Sequence, residues 1–366
     1  MDFAVSEAEV EASRLAARLL GAPGRASAAP DPAGSHTDLD SSLWKELGQA
    51  GLLSLALPAE LGGDELGVQA TSAVLSQVGR HAARIPALAT LALGVLPVAR
   101  STNAEVRHLL LSGVGTGETI LTAATREPSR PMPASPATTA SLARCGGTVS
   151  GVKVGVPYAA AARWILVPAS TQAGDTVVAV VEPDADGLSC QRTHSSSGMP
   201  EYTLRLADSP VRTVLDGCSV GDLYRLAVAG ACAVADGVLA GALDLTTAHI
   251  RKREQFGRPL ATFQAVAQQI ADVYAAARTL HLIALSACWQ LDTGRDAARD
   301  VDVAAYWLAE HGPAALRTCH HLHGGLGMDV TYPLPGYSAL MTDLVAFVGG
   351  AADRLDRLGA REAAGT

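Results

Sequence analysis

Hydrophobic spacing changes twice along the chain, and the changes mark out three zones. From Met1 to about Glu118 the apolar positions recur at helical intervals. Val10, Leu15, Leu19 and Leu20 predict a first helix. Leu39, Leu43, Trp44, Leu47 and Ala50 predict a second, with Asp38 or Asp40 able to cap its start. A Gly/Pro/Ala/Ser-rich loop, Gly21–Gly34, separates them. An apolar turn punctuated by Pro58, Gly62 and Gly63 (Gly51–Gly67) follows, and helix resumes through Ala104. From Thr119 to about Thr213 the period shortens. Thr148–Val156, Trp164–Pro168, Thr176–Val181 and Tyr202–Leu206 are short runs rich in valine and threonine. Gly, Pro and Asp break them up, as in an antiparallel sheet or small barrel. A proline-rich loop, Pro128–Pro136, interrupts the start of this zone. Beyond it the pattern is helical again. Phe263, Val266, Ile270, Val273, Ala277, Leu280, Ala284, Ala287 and Leu291 step alternately by three and four, a seam that packs lengthwise in an antiparallel bundle. The fold class predicted is α+β in three domains: an N-terminal helical domain over 1–118, a middle β-barrel or sheet domain over 119–213, and a C-terminal helical bundle over 214–366.

Composition narrows the field. A chain of 366 residues is too long for one ordinary core. With 48% hydrophobic and 17% charged residues it is not a disordered chain. The formal charge is −8 and lysine occurs only at Lys45, Lys153 and Lys252, which argues against a nucleic-acid surface. The apolar run Leu88–Ala99 is about half the roughly 20 residues a membrane span needs, and Pro97 and Arg100 end it. Asp2, Glu7, Glu9 and Glu11 give the N-terminus the wrong charge for a signal or transit peptide. The six cysteines (Cys145, Cys190, Cys218, Cys232, Cys288 and Cys319) have no CxxC pair and no metal-ligand spacing, so reduced core thiols in a cytoplasmic protein are expected.

Two segments carry chemistry. RKREQFGRPLATFQ (Arg251–Gln264) joins one helix to the seam helix. Arg253, Arg258 and nearby amides make a cationic corner suited to a pyrophosphate, Phe256 offers a face to a planar ring, and Gln264 can hydrogen-bond a nucleotide. A solvated interhelical turn would read the same way. HHLHGGLGM (His320–Met328) sets three histidines before Gly-Gly-x-Gly. Only His320 and His323 share a helix face, and no acidic or thiolate ligand lies at a matching spacing, so no metal is expected. The glycines allow close backbone approach to a ligand. There is no GxSxG elbow, Walker loop or HExxH, and Ser195, Ser196 and Ser197 beside His194 read as a serine-rich loop.

RKREQFGRPLATFQ, the HGGLG turn ahead of Tyr332-Pro333, and the N-terminal GLLSLALPAELGG together resemble the acyl-CoA dehydrogenase family, in order and spacing over essentially the whole chain. The resemblance implies an N-terminal helical domain, a middle β domain and a C-terminal four-helix bundle. It also implies FAD as cofactor, an acyl-CoA thioester as substrate, and α,β-dehydrogenation in which a carboxylate removes the α-proton while the β-hydride passes to the flavin. Arg253, Phe256 and Gln264 match the positions that bind the adenosine diphosphate half of an FAD held mainly by a neighbouring subunit. In the Gln-x-x-Gly-Gly turn that touches the same FAD, Gly324 and Gly325 match, while His321 stands for the usual Gln and can still donate a hydrogen bond.

Other positions depart from the family's pattern. The Glu-Gly-Thr triplet that carries the base reads Val348-Gly349-Gly350. The alternative seat, on the helix before RxxFG, reads Ala227, with no carboxylate between Asp222 and Asp236. The family's Thr-Glu-Pro reads Arg126-Glu127-Pro128, and the Gly-rich loop after it is proline-rich. The Trp-Ile-Thr that covers the flavin reads Gly155-Val156-Pro157, so an aromatic cover and a hydroxyl donor are gone and proline brings no amide hydrogen.

A chain that keeps the half-site serving a neighbour's FAD and lacks a base reads as one subunit of a hetero-oligomer, because proton abstraction needs a base within reach. No residue of this chain is then assigned as catalytic. The resemblance narrows to the base-lacking subunit of the α2β2 acyl-CoA dehydrogenases of bacterial steroid side-chain degradation, which carry two FADs per tetramer. It implies a paralogous partner, a steroid acyl-CoA such as 3-oxo-4-pregnene-20-carboxyl-CoA, and an electron-transfer flavoprotein-like acceptor. Two alternatives stay open: a homo-oligomeric enzyme whose base moved to Asp343 or Glu310, and a non-catalytic acyl-CoA-binding or scaffold protein.

Overall fold

The valine- and threonine-rich runs pair into one eight-stranded sheet in the computed structural model, which describes residues 6–22, 39–143 and 146–364. Asp38, Cys145 and most of the Gly21–Gly34 loop lie outside those residues. Seven strands follow one path: Thr213–Leu215, Thr176–Val181, Trp164–Thr171, Thr139–Ala143, Gly146–Pro157, Glu201–Pro210 and Leu188–Thr193. Leu121–Ala123 adds to Trp164–Thr171 in parallel, and most other pairings are antiparallel. Alternating side chains fill one core, among them Val149, Val156, Ile165, Val167, Ala179, Val181, Leu204 and Leu206. The long strand Gly146–Pro157 shifts register against Glu201–Pro210 twice, between Val149 and Gly151 and between Lys153 and Val156.

The chain forms two compact units. One comprises Asp38–Thr71 and Ile85–Gly230 and holds the sheet. With it go the helices Ser41–Gln49, whose start is capped by Asp40 accepting from the Leu43 amide at 3.0 Å, and Ala104–Leu111. Its apolar run Leu88–Val95 winds as a π-helix and is almost wholly buried.

The other unit comprises Met1–Thr37, Ser72–Arg84 and Ala231–Thr366 and is helical. Glu7–Leu20 opens it with a reciprocal cap, Ser6 accepting from the Glu9 amide and Glu9 from that of Ser6. Its bundle is built from the end of Val220–Lys252, then Gln264–Asp292, Ala298–His323, Leu334–Val348 and Gly350–Ala364. Two glycines let backbones cross closely. A Cβ on Gly79 would stand 1.9 Å from the Val234 carbonyl oxygen, and one on Gly237 1.8 Å from that of Ser76. The seam of Gln264–Asp292 is buried from Val273 to Leu291 against Ala298–His323, and Trp307 Nε1 donates to the Ala276 carbonyl at 3.0 Å. Phe263, Val266 and Ile270, at its start, are only half-buried.

Apart from the short run Leu88–Ala99, one helix among the described residues is long and apolar enough, by length and composition, to cross a membrane. Val220–Lys252 has 33 residues and a window of mean hydropathy 1.9. Of that window 83% is buried within the chain, so its apolar side chains serve the interior. The cysteines Cys218, Cys232, Cys288 and Cys319 are free and buried, and Cys190 is free and half-buried. Burial pushes the Cys218 and Cys288 thiols up to about 12, which leaves them protonated and inert.

Candidate functional site

The Arg251–Gln264 segment folds as a tight hairpin. Glu254–Gln255 pairs antiparallel with Arg258–Pro259. Phe256 and Gly257 make the two-residue turn, with φ of 53° and 74°. Positive φ at both central residues matches the right-handed twist of a hairpin and suits glycine, asparagine or aspartate, not a bulky aromatic residue. Phe256 is held there nonetheless and is 91% exposed. Behind it, Arg258 stacks over Phe263 at 4.1 Å, and the Phe256 and Phe263 rings meet edge to face at 6.2 Å. Arg253 and Gln264 are exposed, and among the described residues the Arg253 guanidinium has no ion-pair partner. Gln264 begins a 29-residue helix whose first turn carries no side-chain cap, so its amides face solvent with the helix dipole behind them. A cation, a planar ring and free amides together suit a nucleotide diphosphate.

The second motif ends the helix Ala298–His323. Gly324 has φ 60° and ψ −139°, a conformation open only to glycine. A Cβ added to Gly324 or Gly325 would meet nothing within 4 Å, so this backbone turn is bare. His321 is exposed beside it. The other two histidines turn inward. His320 Nε2 bonds Ser338 Oγ at 2.6 Å, and His323 Nδ1 donates to the Cys319 carbonyl at 2.8 Å. His323 stacks on His249 with centroids 4.4 Å apart, and Tyr332 lies 5.3 Å away. His249 stands four residues before Arg253 and His323 immediately before Gly324, so this stack brings the two motifs together.

Neither position expected to be empty of a base carries one. Ala227 and Val348 are fully buried. The Val348 carbonyl accepts from Arg354 Nε at 2.6 Å, and Gly349 and Gly350 follow at φ 93° and 81°. Arg354 is itself buried, paired with Asp302 at 2.9 Å, and Asp302 also accepts from Arg361. Glu310 is exposed on its helix and Asp343 is half-buried, five residues before Val348. The Ser195–Ser197 loop closes on itself, Ser195 Oγ donating to the Met199 carbonyl at 2.7 Å.

Within the sheet-bearing unit Glu127 and Lys153 form a buried ion pair. Glu127 is 3% exposed and accepts four hydrogen bonds: from the Ala137 amide at 2.7 Å, the Thr138 amide at 2.9 Å, Thr138 Oγ1 at 2.7 Å and Lys153 Nζ at 2.8 Å. Burial alone would raise the Glu127 carboxyl, but the Lys153 ammonium and the two amides outweigh it and bring it down to about 2. Burial draws Lys153 down, opposed by Glu127. Arg126 lies across Gly155, its Nη1 2.6 Å from where a Cβ would be. Pro157 gives its carbonyl to Thr122 Oγ1 at 2.7 Å. Of the flavin-covering pattern at 155–157, the aromatic cover and the hydroxyl donor are absent, Arg126 lies over Gly155 and Pro157 has no amide hydrogen. The hairpin and the glycine turn of the helical unit are the segments that could hold part of the cofactor. Spacing alone did not reveal the Glu127–Lys153 pair. Its one signal was a rare lysine at an inward position of an apolar strand.

The family profile for the acyl-CoA dehydrogenase C-terminal domain matches residues 223–357, and that for the N-terminal domain residues 23–118. The chain belongs to the acyl-CoA dehydrogenase family and is an FAD-dependent oxidoreductase by that membership. It is 45% identical over 320 residues to acyl-CoA dehydrogenase FadE28 of Mycobacterium tuberculosis, covering 87% of this chain and 91% of that one. Among solved structures, a Tcur3481–Tcur3483 steroid acyl-CoA dehydrogenase variant superposes with TM-score 0.92 at 34% identity, over 98% of both chains. The ChsE4–ChsE5 complex of Mycobacterium tuberculosis gives 0.88 at 30%, over the whole of both.

Proposed function

We propose that this chain is the base-lacking subunit of a heteromeric, FAD-dependent acyl-CoA dehydrogenase that introduces an α,β double bond into a steroid side-chain acyl-CoA. One observation carries the reading: the same chain presents Arg253, Phe256, Gln264 and a bare Gly324–Gly325 turn to solvent, yet its own flavin-covering positions read Gly155-Val156-Pro157 and its base seat is Val348. Such a chain has something to give a neighbour's cofactor and nothing with which to run the reaction on its own. The relatives support the finer part, since one is a steroid enzyme and another a two-component complex.

When bound, FAD supplies the acceptor for the β-hydride. This chain's share is binding. Arg253 balances the pyrophosphate charge, the first-turn amides of the Gln264 helix add their dipole, Gln264 and His321 supply hydrogen bonds, and Phe256 packs an apolar face. A paralogous partner supplies the flavin cradle and the carboxylate that takes the α-proton. An electron-transfer flavoprotein-like protein then reoxidises the complex, in the cytoplasm.

Co-expression with the neighbouring acyl-CoA dehydrogenase-like reading frame, purification by a tag on this chain, and measurement of flavin content and mass test the proposal. One FAD per heterodimer, with the single chain colourless or insoluble, is expected. A yellow homo-oligomer with one FAD per chain would overturn it and favour a relocated base, and a colourless complex would favour a scaffold.

A further inference from the structure

We infer that His249 and His323 are positioning residues that hold the Arg253 hairpin and the Gly324–Gly325 turn in one register, so that the stacked ring pair sets how tightly the adenosine diphosphate half of FAD is retained. The inference rests on the subunit reading above. Its ground is geometric. The rings stack at 4.4 Å and 23°, His249 on the last turn of Val220–Lys252 and His323 on the last turn of Ala298–His323. Each sits at the root of one exposed motif. From His249 the chain runs into the hairpin through a hydrogen bond of 2.8 Å between the Arg253 amide and the His249 carbonyl. From His323 it enters the glycine turn directly.

The His323 ring is fixed on every side. Its Nδ1 donates to the Cys319 carbonyl, which makes Nε2 the unprotonated nitrogen. That Nε2 is buried and has no hydrogen-bond partner among the described residues. Tyr332 closes the far side at 5.3 Å, and a Cβ on Gly327 would stand 3.0 Å from that of His323. A buried ring with an unused nitrogen gains nothing for the core that a phenylalanine would not supply. What it adds is a ring that stacks only while both imidazoles are neutral.

The surroundings of the pair favour the neutral rings on balance. Burial lowers the pKa of His323, the hydrogen bond to the Cys319 carbonyl opposes it, and His249 and His320 lower it further. Burial lowers that of His249, with Arg253 adding to it. Both rings therefore stay neutral through the ordinary histidine pKa of about 6.5, and the stack weakens only as pH falls below their lowered folded-state values, when two imidazolium ions would face each other beside Arg253. FAD retention by the complex should fall over that same interval.

The test uses the co-purified complex, with bound FAD read by absorbance after gel filtration at a series of pH values. His323→Ala and His249→Ala should each weaken FAD retention about tenfold at pH 7.5, the scale of a lost aromatic pair. His323→Phe should restore retention at pH 7.5 and remove most of the decline at acid pH. Full retention in His323→Ala, alongside loss in Arg253→Ala, would overturn this inference and leave the subunit reading standing. Full retention in Arg253→Ala would overturn that reading itself. Should the alanine variants fail to fold, the pH profile of His323→Phe decides: a wild-type decline overturns the inference, and a flat profile upholds it.

Discussion

At the scale of single residues, Phe256 and Val348 show how an unfavourable or an empty position can be informative. Phe256 sits at positive φ with its ring in water, which lowers the stability of the isolated chain. Phe256→Asn should raise thermal stability by about 1 kcal/mol, because asparagine tolerates that turn, while lowering FAD retention by the complex. Stability and retention falling together would show that the ring serves only the fold. At Val348, a glutamate would enter a fully buried site whose carbonyl is already tied to Arg354. Val348→Glu should therefore give no dehydrogenase turnover in the single chain, measured with an artificial electron acceptor. Robust turnover would mean that the sheet face still accepts a flavin. Arg253 was legible from the sequence because its motif is local, and Arg253→Ala should cost the complex about tenfold or more in FAD affinity.

At the scale of elements, the helices followed their spacing only in part. The first helix buries Ala12, Ala16 and Leu20, while Val10, Leu15 and Leu19 stay half-exposed. Small side chains can face inward where helices approach closely, so hydrophobicity alone misjudges the buried stripe. The seam of Gln264–Asp292 behaved as its period required, except that its first turns are only half covered by this chain. In the sheet, Lys153 breaks an otherwise apolar inward pattern because Glu127 neutralises it from a segment 26 residues away. Lys153→Met should destabilise the chain by about 3–5 kcal/mol, since it leaves a buried carboxylate without its cation. Glu127→Gln with Lys153→Met should recover much of that loss. The pH dependence has a definite sign. The Glu127 carboxyl sits at about 2, below its ordinary 4.5, so its contribution is full above 4.5 and is lost as pH falls from 4.5 towards 2. Acid denaturation that is unchanged in the double variant would show that the pair contributes nothing over that interval.

At the scale of the molecule, the proposed function depends on a division of labour. On the proposed reading, this chain contributes the surface for its neighbour's cofactor, and the partner contributes the cradle and the base. The surface is legible in sequence because Arg253, Phe256, Gln264, His321, Gly324 and Gly325 lie in two short contiguous motifs. The missing base is legible for the same reason. The buried Glu127–Lys153 pair is not, since it needs Glu127, Thr138 and Lys153 to meet from separate strands and loops.

The order of helical, strand-rich and helical zones, the family and the two motifs proposed to meet the cofactor were read from the sequence alone, because each rests on neighbours in the chain: hydrophobic periods, turn residues and short fixed spacings. Tertiary structure decided which of those residues remain available. It stacked His249 on His323, capped Gly155 with Arg126, saturated the Glu127 carboxylate and left Phe256 in solvent. These outcomes join residues tens of positions apart, and no local pattern records them. A charge is buried only where a partner from elsewhere in the fold neutralises it.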